Sequence, residues 1–256
     1  MKNIADSVLA TCARIIDQSG GDPASIVASE EDSEARVAEM QAALARQHRE
    51  ASLIVSGFDR KHAEMAVAGT FDETTPVVAA REFMTGAPTI LVLWGEHSRG
   101  KTFGATTAGA IAYDHERASR RREMRPGRES SLVVRAATLL ETWRARKADL
   151  YAIPLLVIED VGRESGLVDE LAMTAAMVDV FGVRLQRSLK SIVTTNLLVE
   201  ESKVPKADPS WRRLLHNPKS KRRHLFPESD SMWLRERLIE YGSVVHCDGP
   251  NLRRKT

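Results

Sequence analysis

Residues Thr89-Ile90-Leu91-Val92-Leu93-Trp94-Gly95-Glu96-His97-Ser98-Arg99-Gly100-Lys101-Thr102 join an apolar run to a G-x-x-x-x-G-K-T loop. The run from Ile90 to Trp94 is apolar without alternation, as in a strand buried on both faces. Small, helix-compatible residues follow from Thr102 to Ala112. A strand therefore leads into a loop that opens a helix, where free N–H groups and the helix dipole favour a polyanion. The motif assigns roles within the loop. The amides of Ser98 to Thr102 wrap phosphates, Lys101 reaches the β- and γ-phosphates, and the Thr102 hydroxyl ligates Mg²⁺. Gly95, Glu96, His97, Ser98, Arg99, Gly100, Lys101, Thr102 and Phe103 are thus the expected ATP-binding residues.

Outward from this loop, strand and helix patterns alternate, which implies a parallel sheet covered on both faces. The strands expected are 89–94, 131–135, 155–159, 191–195 and 243–246, and the helices 102–115, 137–147, 166–187 and 231–241. The stretches 117–128 and 201–230 are charged and contain proline, and both read as solvated loops. The fold class expected is α/β, a three-layer P-loop nucleotide hydrolase with a central five-stranded parallel sheet and a small helical module before it.

That module comprises residues 1–56. Val8, Leu9, Cys12, Ile15 and Ile16 give one apolar face, closed by a turn at Gly20-Gly21-Asp22-Pro23. A second amphipathic stretch, 33–48, carries Val37, Met40 and Leu44 on one face. A short helical hairpin buries little by itself, so the pair reads either as a docking module for a partner or as a cap on the main domain, residues 57–256.

Composition narrows the function classes. The chain has 256 residues, 43% hydrophobic, with a formal net charge of +2, so basic surfaces must come from local clusters. Two cysteines, Cys12 and Cys247, are far apart, which argues against a disulfide framework or a zinc site and fits a cytoplasmic protein. No apolar run approaches the 18 residues of a membrane span.

A second motif, Leu155-Leu156-Val157-Ile158-Glu159-Asp160, is a buried run ending in paired acids. Acids there are unfavourable unless a cation or a water network meets them. Glu159 and Asp160 are therefore candidate catalytic residues and, with Thr102, candidate Mg²⁺ ligands. A third, Ile192-Val193-Thr194-Thr195-Asn196, ends a β-branched strand in an amide that can orient an attacking water.

The order of these parts resembles the DnaC/IstB family of AAA+ ATPases, which comprises helicase loaders, some phage-borne, and transposition helper ATPases. The matching residues begin with Gly57-Phe58 through Ala80-Arg81-Glu82-Phe83 and the loop itself. They continue through Leu155 to Gly162, Val183-Arg184-Leu185, Ile192 to Asn196, Arg237-Leu238, Val244-Val245 and Gly249 to Arg253. The resemblance covers most of residues 57–254. It implies an AAA+ domain that binds and hydrolyses ATP, assembles in an ATP-dependent manner and acts on single- or double-stranded DNA. The N-terminal helices would dock a replicative helicase or, in the IstB-type alternative, a transposase. It also implies an arginine acting in trans, for which Arg235 and Arg237 are candidates, and a terminal sensor arginine at Arg253 or Arg254.

The chain departs from the family pattern at three points. Ser98 stands where glycine is usual and would need a backbone conformation that glycine adopts more readily. The acids come in the order Glu159-Asp160, with Asp first in the usual pattern. Trp233 occupies the usual place of the trans arginine. Together they favour slow, partner- or DNA-stimulated turnover, or a third reading in which ATP binding alone works a switch. A small-molecule kinase is disfavoured, since no arginine-bearing lid is paired with an acceptor pocket. The cluster Lys203 to Arg223, with Trp211 and His216, reads either as a DNA contact or as a solvated loop, and so does Arg120 to Arg122.

Overall fold

A computed structural model describes residues 23–71, 73–123, 129–161, 170–196, 233, 237 and 240–248. The chain divides into two units, Met1–His48 and Arg49–Thr256. In the first, residues 23–48 belong to helix α1 (Pro23–Val55), and Val37, Met40 and Leu44 are exposed at 45, 60 and 50%. The helix starts ten residues before the expected stretch, because Pro23, expected in a turn, opens it with a φ already suited to a first helical turn.

The second unit holds the end of α1, then α2 (Arg60–Ala68), α3 (Thr75–Thr85), β1 (Ile90–Trp94), α4 (Lys101–Glu123) and β2 (Ser131–Arg135). After a 3₁₀ turn at Ala136–Thr138 come α5 (Leu139–Ala152), β3 (Leu155–Val161), α6 (Glu170–Gln186), β4 (Lys190–Thr195) and β5 (Gly242–His246). The strands lie in the order β2-β3-β4-β1-β5, and every neighbouring pair is parallel.

Alternation along the strands builds the two cores of this three-layer α/β fold. Ile90, Val92 and Trp94 face a cluster with Leu139, Leu150, Met177, Val180 and Phe181 from α5 and α6. Leu91 and Leu93 face the other, with Phe83 of α3, Leu53 of α1 and the alanines of α4. Small residues let α4 pack closely. A Cβ on Gly104 would stand 2.4 Å from the Pro76 carbonyl oxygen, so α3 and α4 touch backbone to backbone there.

The ends of the elements are fastened by polar groups. Asp59 caps α2 by accepting from the His62 amide, and Gly69 closes it at φ 68°. The Lys190 amine donates to the carbonyls of Phe83, in the last turn of α3, and of Gly86 and Pro88 just after it. On α6, Arg184 is buried, and its guanidinium donates to the carbonyls of Leu150, Ile153, Pro154 and Lys190 and to the Ser191 hydroxyl.

Two expectations need correction. The stretch from Arg117 is helical as far as Glu123, because α4 continues through its charged residues rather than ending at His115. Glu-Arg and Ala-rich sequence is good helix former when solvated, and charge alone does not end a helix. Second, α2 and α3 were absent from the expected elements: their amphipathic faces are only nine and eleven residues long. Three of the five expected strands gain one or two residues at an end, β1 begins one residue later than expected, at Ile90, and β2 falls on its expected residues.

Candidate functional site

The open crevice of a parallel sheet lies beyond the carboxyl ends of its strands, at the point where the connections reverse. Here β1 sits between β4 and β5, with Trp94 opposite Thr195 on one side and His246 on the other. The indole of Trp94 stacks on His246 at 4.1 Å, beneath the loop. Gly95 then turns with φ 140°, and a Cβ there would come within 2.6 Å of the Cys247 carbonyl oxygen, so no side chain fits. The Cys247 thiol is buried and pushed up to about 12 by that burial, which makes it an inert packing residue.

Within the loop, Gly100 has φ 78°, and Ser98 has φ 64°, a left-handed conformation held by a residue with a Cβ. Lys101 is buried and its amine donates to the carbonyl oxygens of Gly95 (2.9 Å) and Glu96 (2.6 Å). Arg99 pairs with Glu96 at 2.5 Å. Phe103 stacks on Phe71 and meets the edge of His62, each at 4.7 Å. His97 lies in the same loop, between Glu96 and Ser98.

The acids of the second motif sit in an irregularity of β3. Ile158 pairs with Val193 and Val161 with Thr195, so β3 spends one extra residue between these points. Asp160 takes up the excess at φ 59°. Its amide donates to Thr194 Oγ1 at 3.1 Å, its Oδ1 accepts from Asn196 Nδ2 at 3.1 Å, and Thr195 Oγ1 donates to the Val161 carbonyl at 2.7 Å. Thr-Thr-Asn thus holds the bulge with three consecutive side chains.

The bulge separates the two acids. Asp160 turns towards β4 and Asn196, while Glu159, opposite Arg135 of β2, lines a cavity of about 530 Å³. Thr102, Asp59, His62, Arg135 and Arg146 line it too. Burial, then the neighbouring Asp160 charge, raises the Glu159 pKa above the usual carboxylate range, against the pull of Arg135. Glu159 Oε1 is buried and has no hydrogen-bond partner among the described residues. A buried carboxylate oxygen that shares a cavity with a threonine suits a hydrated Mg²⁺ whose other ligands are phosphate oxygens. Among the described residues no group of three or more His, Cys, Asp or Glu could hold a metal without such help.

Arg237 lies apart from this cluster in its described contacts: it pairs with Glu240 at 2.7 Å and lies over the rings of Trp233 and Tyr241. Trp233 itself packs on the α5–α6 core, near Gly182. Arg235, Arg253, Arg254, Gly162 and the basic stretch 203–223 with Trp211 and His216 lie outside the described residues, as do the side chains of Arg120 to Arg122. Sequence reasoning missed Thr194 as an anchor of Asp160, although the Thr-Thr-Asn motif contained it. It also missed Asp59, His62 and Arg135 as cavity walls, which only the strand register and the approach of α2 bring to the acids.

No helix among the described residues is long and apolar enough to cross a membrane. The all-parallel order, with β4 inserted between β1 and β3 and the G-x-x-x-x-G-K-T loop after β1, is that of a three-layer P-loop α/β fold. The sequence matches no family model and no curated protein. Among solved structures it is similar to DnaI, at 17% identity and a TM-score of 0.45 over 69% of this chain and 82% of that one. It is similar also to a DnaC helicase loader, at 16% identity and a TM-score of 0.41 over 66% and 86%. The AMPPCP-bound DnaA of Aquifex aeolicus follows at 13% identity and a TM-score of 0.37, over 70% of this chain and 46% of that one.

Proposed function

We propose that the chain is an ATP-binding and ATP-hydrolysing AAA+ protein of DNA replication that loads a replicative helicase onto single-stranded DNA. The observation that carries the nucleotide part is that three motifs lie at the carboxyl ends of neighbouring strands of the sheet. Lys101 and Thr102 open α4 after β1, Glu159 and Asp160 lie in the last residues of β3, and Asn196 leaves β4 hydrogen-bonded to Asp160. The helicase part rests on the motif resemblance across residues 57–254.

In this reading the residues divide the work. The loop amides and the Lys101 amine bind the triphosphate, Lys101 exchanging its two carbonyl partners for phosphate oxygens. Thr102 and Glu159, which share a cavity, hold Mg²⁺. Bound there, the ion would neutralise charge on the β- and γ-phosphate oxygens. Asp160, fixed by Asn196, orients the attacking water and accepts its proton. Arg237 or Arg253 would complete a site, one of them from a neighbouring copy, and residues 1–56 would dock the helicase.

The Glu159-Asp160 order, Ser98 in the loop and Trp233 at the usual place of the trans arginine favour a slower variant, in which nucleotide binding drives assembly and hydrolysis only resets it. Light scattering with a non-hydrolysable ATP analogue and single-stranded DNA, followed by turnover measurements with a replicative helicase added, tests the proposal. Nucleotide-dependent assembly with helicase-stimulated turnover supports it. A monomer under every condition, indifferent to helicase and DNA, contradicts it.

A further inference from the structure

Both cations of the phosphate loop are held by one acidic residue. Arg99 Nη2 donates to the Glu96 carboxylate at 2.5 Å, and Lys101 Nζ donates to the Glu96 main-chain oxygen at 2.6 Å. The Arg99 side chain is 26% exposed and that of Glu96 59%, so the pair lies at the rim of the loop with its cation tucked inward. The G-x-x-x-x-G-K-T pattern requires neither residue. An acid at its second position places a negative charge beside amides that suit an anion, and at such separations the repulsion is only partly screened.

We infer that Glu96 and Arg99 form a counter-charge gate on this loop. Arg99 is a second phosphate-binding cation, and Glu96 holds it until a polyphosphate displaces the carboxylate. A guanidinium suits the task because its fork accepts two oxygens of a carboxylate or of a phosphate alike. Glu96 is ionised at neutral pH, since the Arg99 hydrogen bond and charge, with lesser help from His246 and Lys101, hold its pKa below the usual carboxylate range. The cost of opening the gate falls on every polyphosphate that takes Arg99, so it lowers the affinity for nucleoside triphosphate and diphosphate alike. The inference rests on the reading of the loop as a nucleotide site.

Calorimetric titration of Mg-ATP and Mg-ADP into the full chain and into Glu96→Gln and Arg99→Gln tests it. A partly exposed ion pair corresponds to about a twofold to fivefold change in Kd. Glu96→Gln is expected to bind both ATP and ADP more tightly by about that factor. Arg99→Gln is expected to bind ATP more weakly by a similar factor. The gain in Glu96→Gln should shrink as salt is raised to about 0.5 M, which a packing effect would not do. Should Glu96→Gln misfold by circular dichroism, Glu96→Ala carries the same expectation. Unchanged or weaker ATP binding in the folded Glu96 variant, or unchanged binding in Arg99→Gln, overturns the gate while leaving the nucleotide site intact. A wild-type chain that binds neither nucleotide overturns the site itself and the gate with it.

Discussion

Asn196 Nδ2 donates to Asp160 Oδ1 at 3.1 Å, tying the end of β4 to the bulge of β3. Asp160 is left-handed at φ 59°, a conformation that a residue with a Cβ keeps only when its surroundings over-determine it. Thr194 holds its amide and Asn196 its carboxylate. If this pair positions a hydrolytic water, Asn196→Ala should lower single-turnover ATP hydrolysis by about tenfold to a hundredfold while nucleotide affinity stays put. A loss of affinity with hydrolysis unchanged would assign Asn196 to binding instead.

Glu159 should leave a pH signature in stability. Its carboxyl is raised, first by burial and then by Asp160, so it takes up a proton more readily when folded than when unfolded. Ionisation therefore opposes folding. The opposition is absent below the unfolded pKa, grows as pH rises towards the folded value, and is constant above it. Glu159→Gln removes it, and Tm should rise at about pH 7 but not at about pH 4, by ~2–4 °C for each kcal/mol relieved. Equal shifts at the two pH values in thermal unfolding would contradict this account.

Ser98 carries the strain that a glycine would avoid. At φ 64°, Ser98→Gly should raise stability in urea unfolding by up to about 1 kcal/mol, the relief of the left-handed Cβ being partly offset by a freer unfolded chain. Ser98→Val, branched at Cβ, should lose about 1–2 kcal/mol.

Arg184 fastens the amino ends of β3 and β4. Its guanidinium meets four carbonyls and one hydroxyl, and burial brings its pKa down to about 9, so it stays charged at neutral pH. Arg184→Met leaves those carbonyls without their donor and should destabilise the fold by about 3 kcal/mol or more. Arg184→Lys, a point charge without the planar fork, should recover only part of that in urea unfolding.

The fold was legible where the chain is buried on both faces. The unbroken apolar runs of β1 and β3 and the β-branched run of β4 placed the central strands to within two residues, and Gly95 and Gly100 marked the loop between β1 and α4. The short helices α2 and α3 were not legible, because eleven residues or fewer give a weak helical period. In the site, the three motifs announced themselves, but the division between Glu159 and Asp160 did not. Strand alternation alone sends them to opposite faces, and only the bulge, invisible in a single sequence, turns Asp160 to Asn196 and leaves Glu159 in the cavity that Thr102 also lines. The role of Glu96 was hidden for a similar reason: an acid in the loop reads as solvated until Arg99 is seen folded back on it.

The central claim is that a nucleoside triphosphate docks on the loop between β1 and α4. Calorimetric titration of Mg-ATP into the wild-type chain and into Lys101→Ala, both verified as folded, tests it most directly. The account predicts saturable one-to-one binding to the wild type and a loss of at least about a hundredfold in the variant, the scale of a buried charge-assisted contact removed. Equal affinity in the two proteins, or no binding to either, would contradict it.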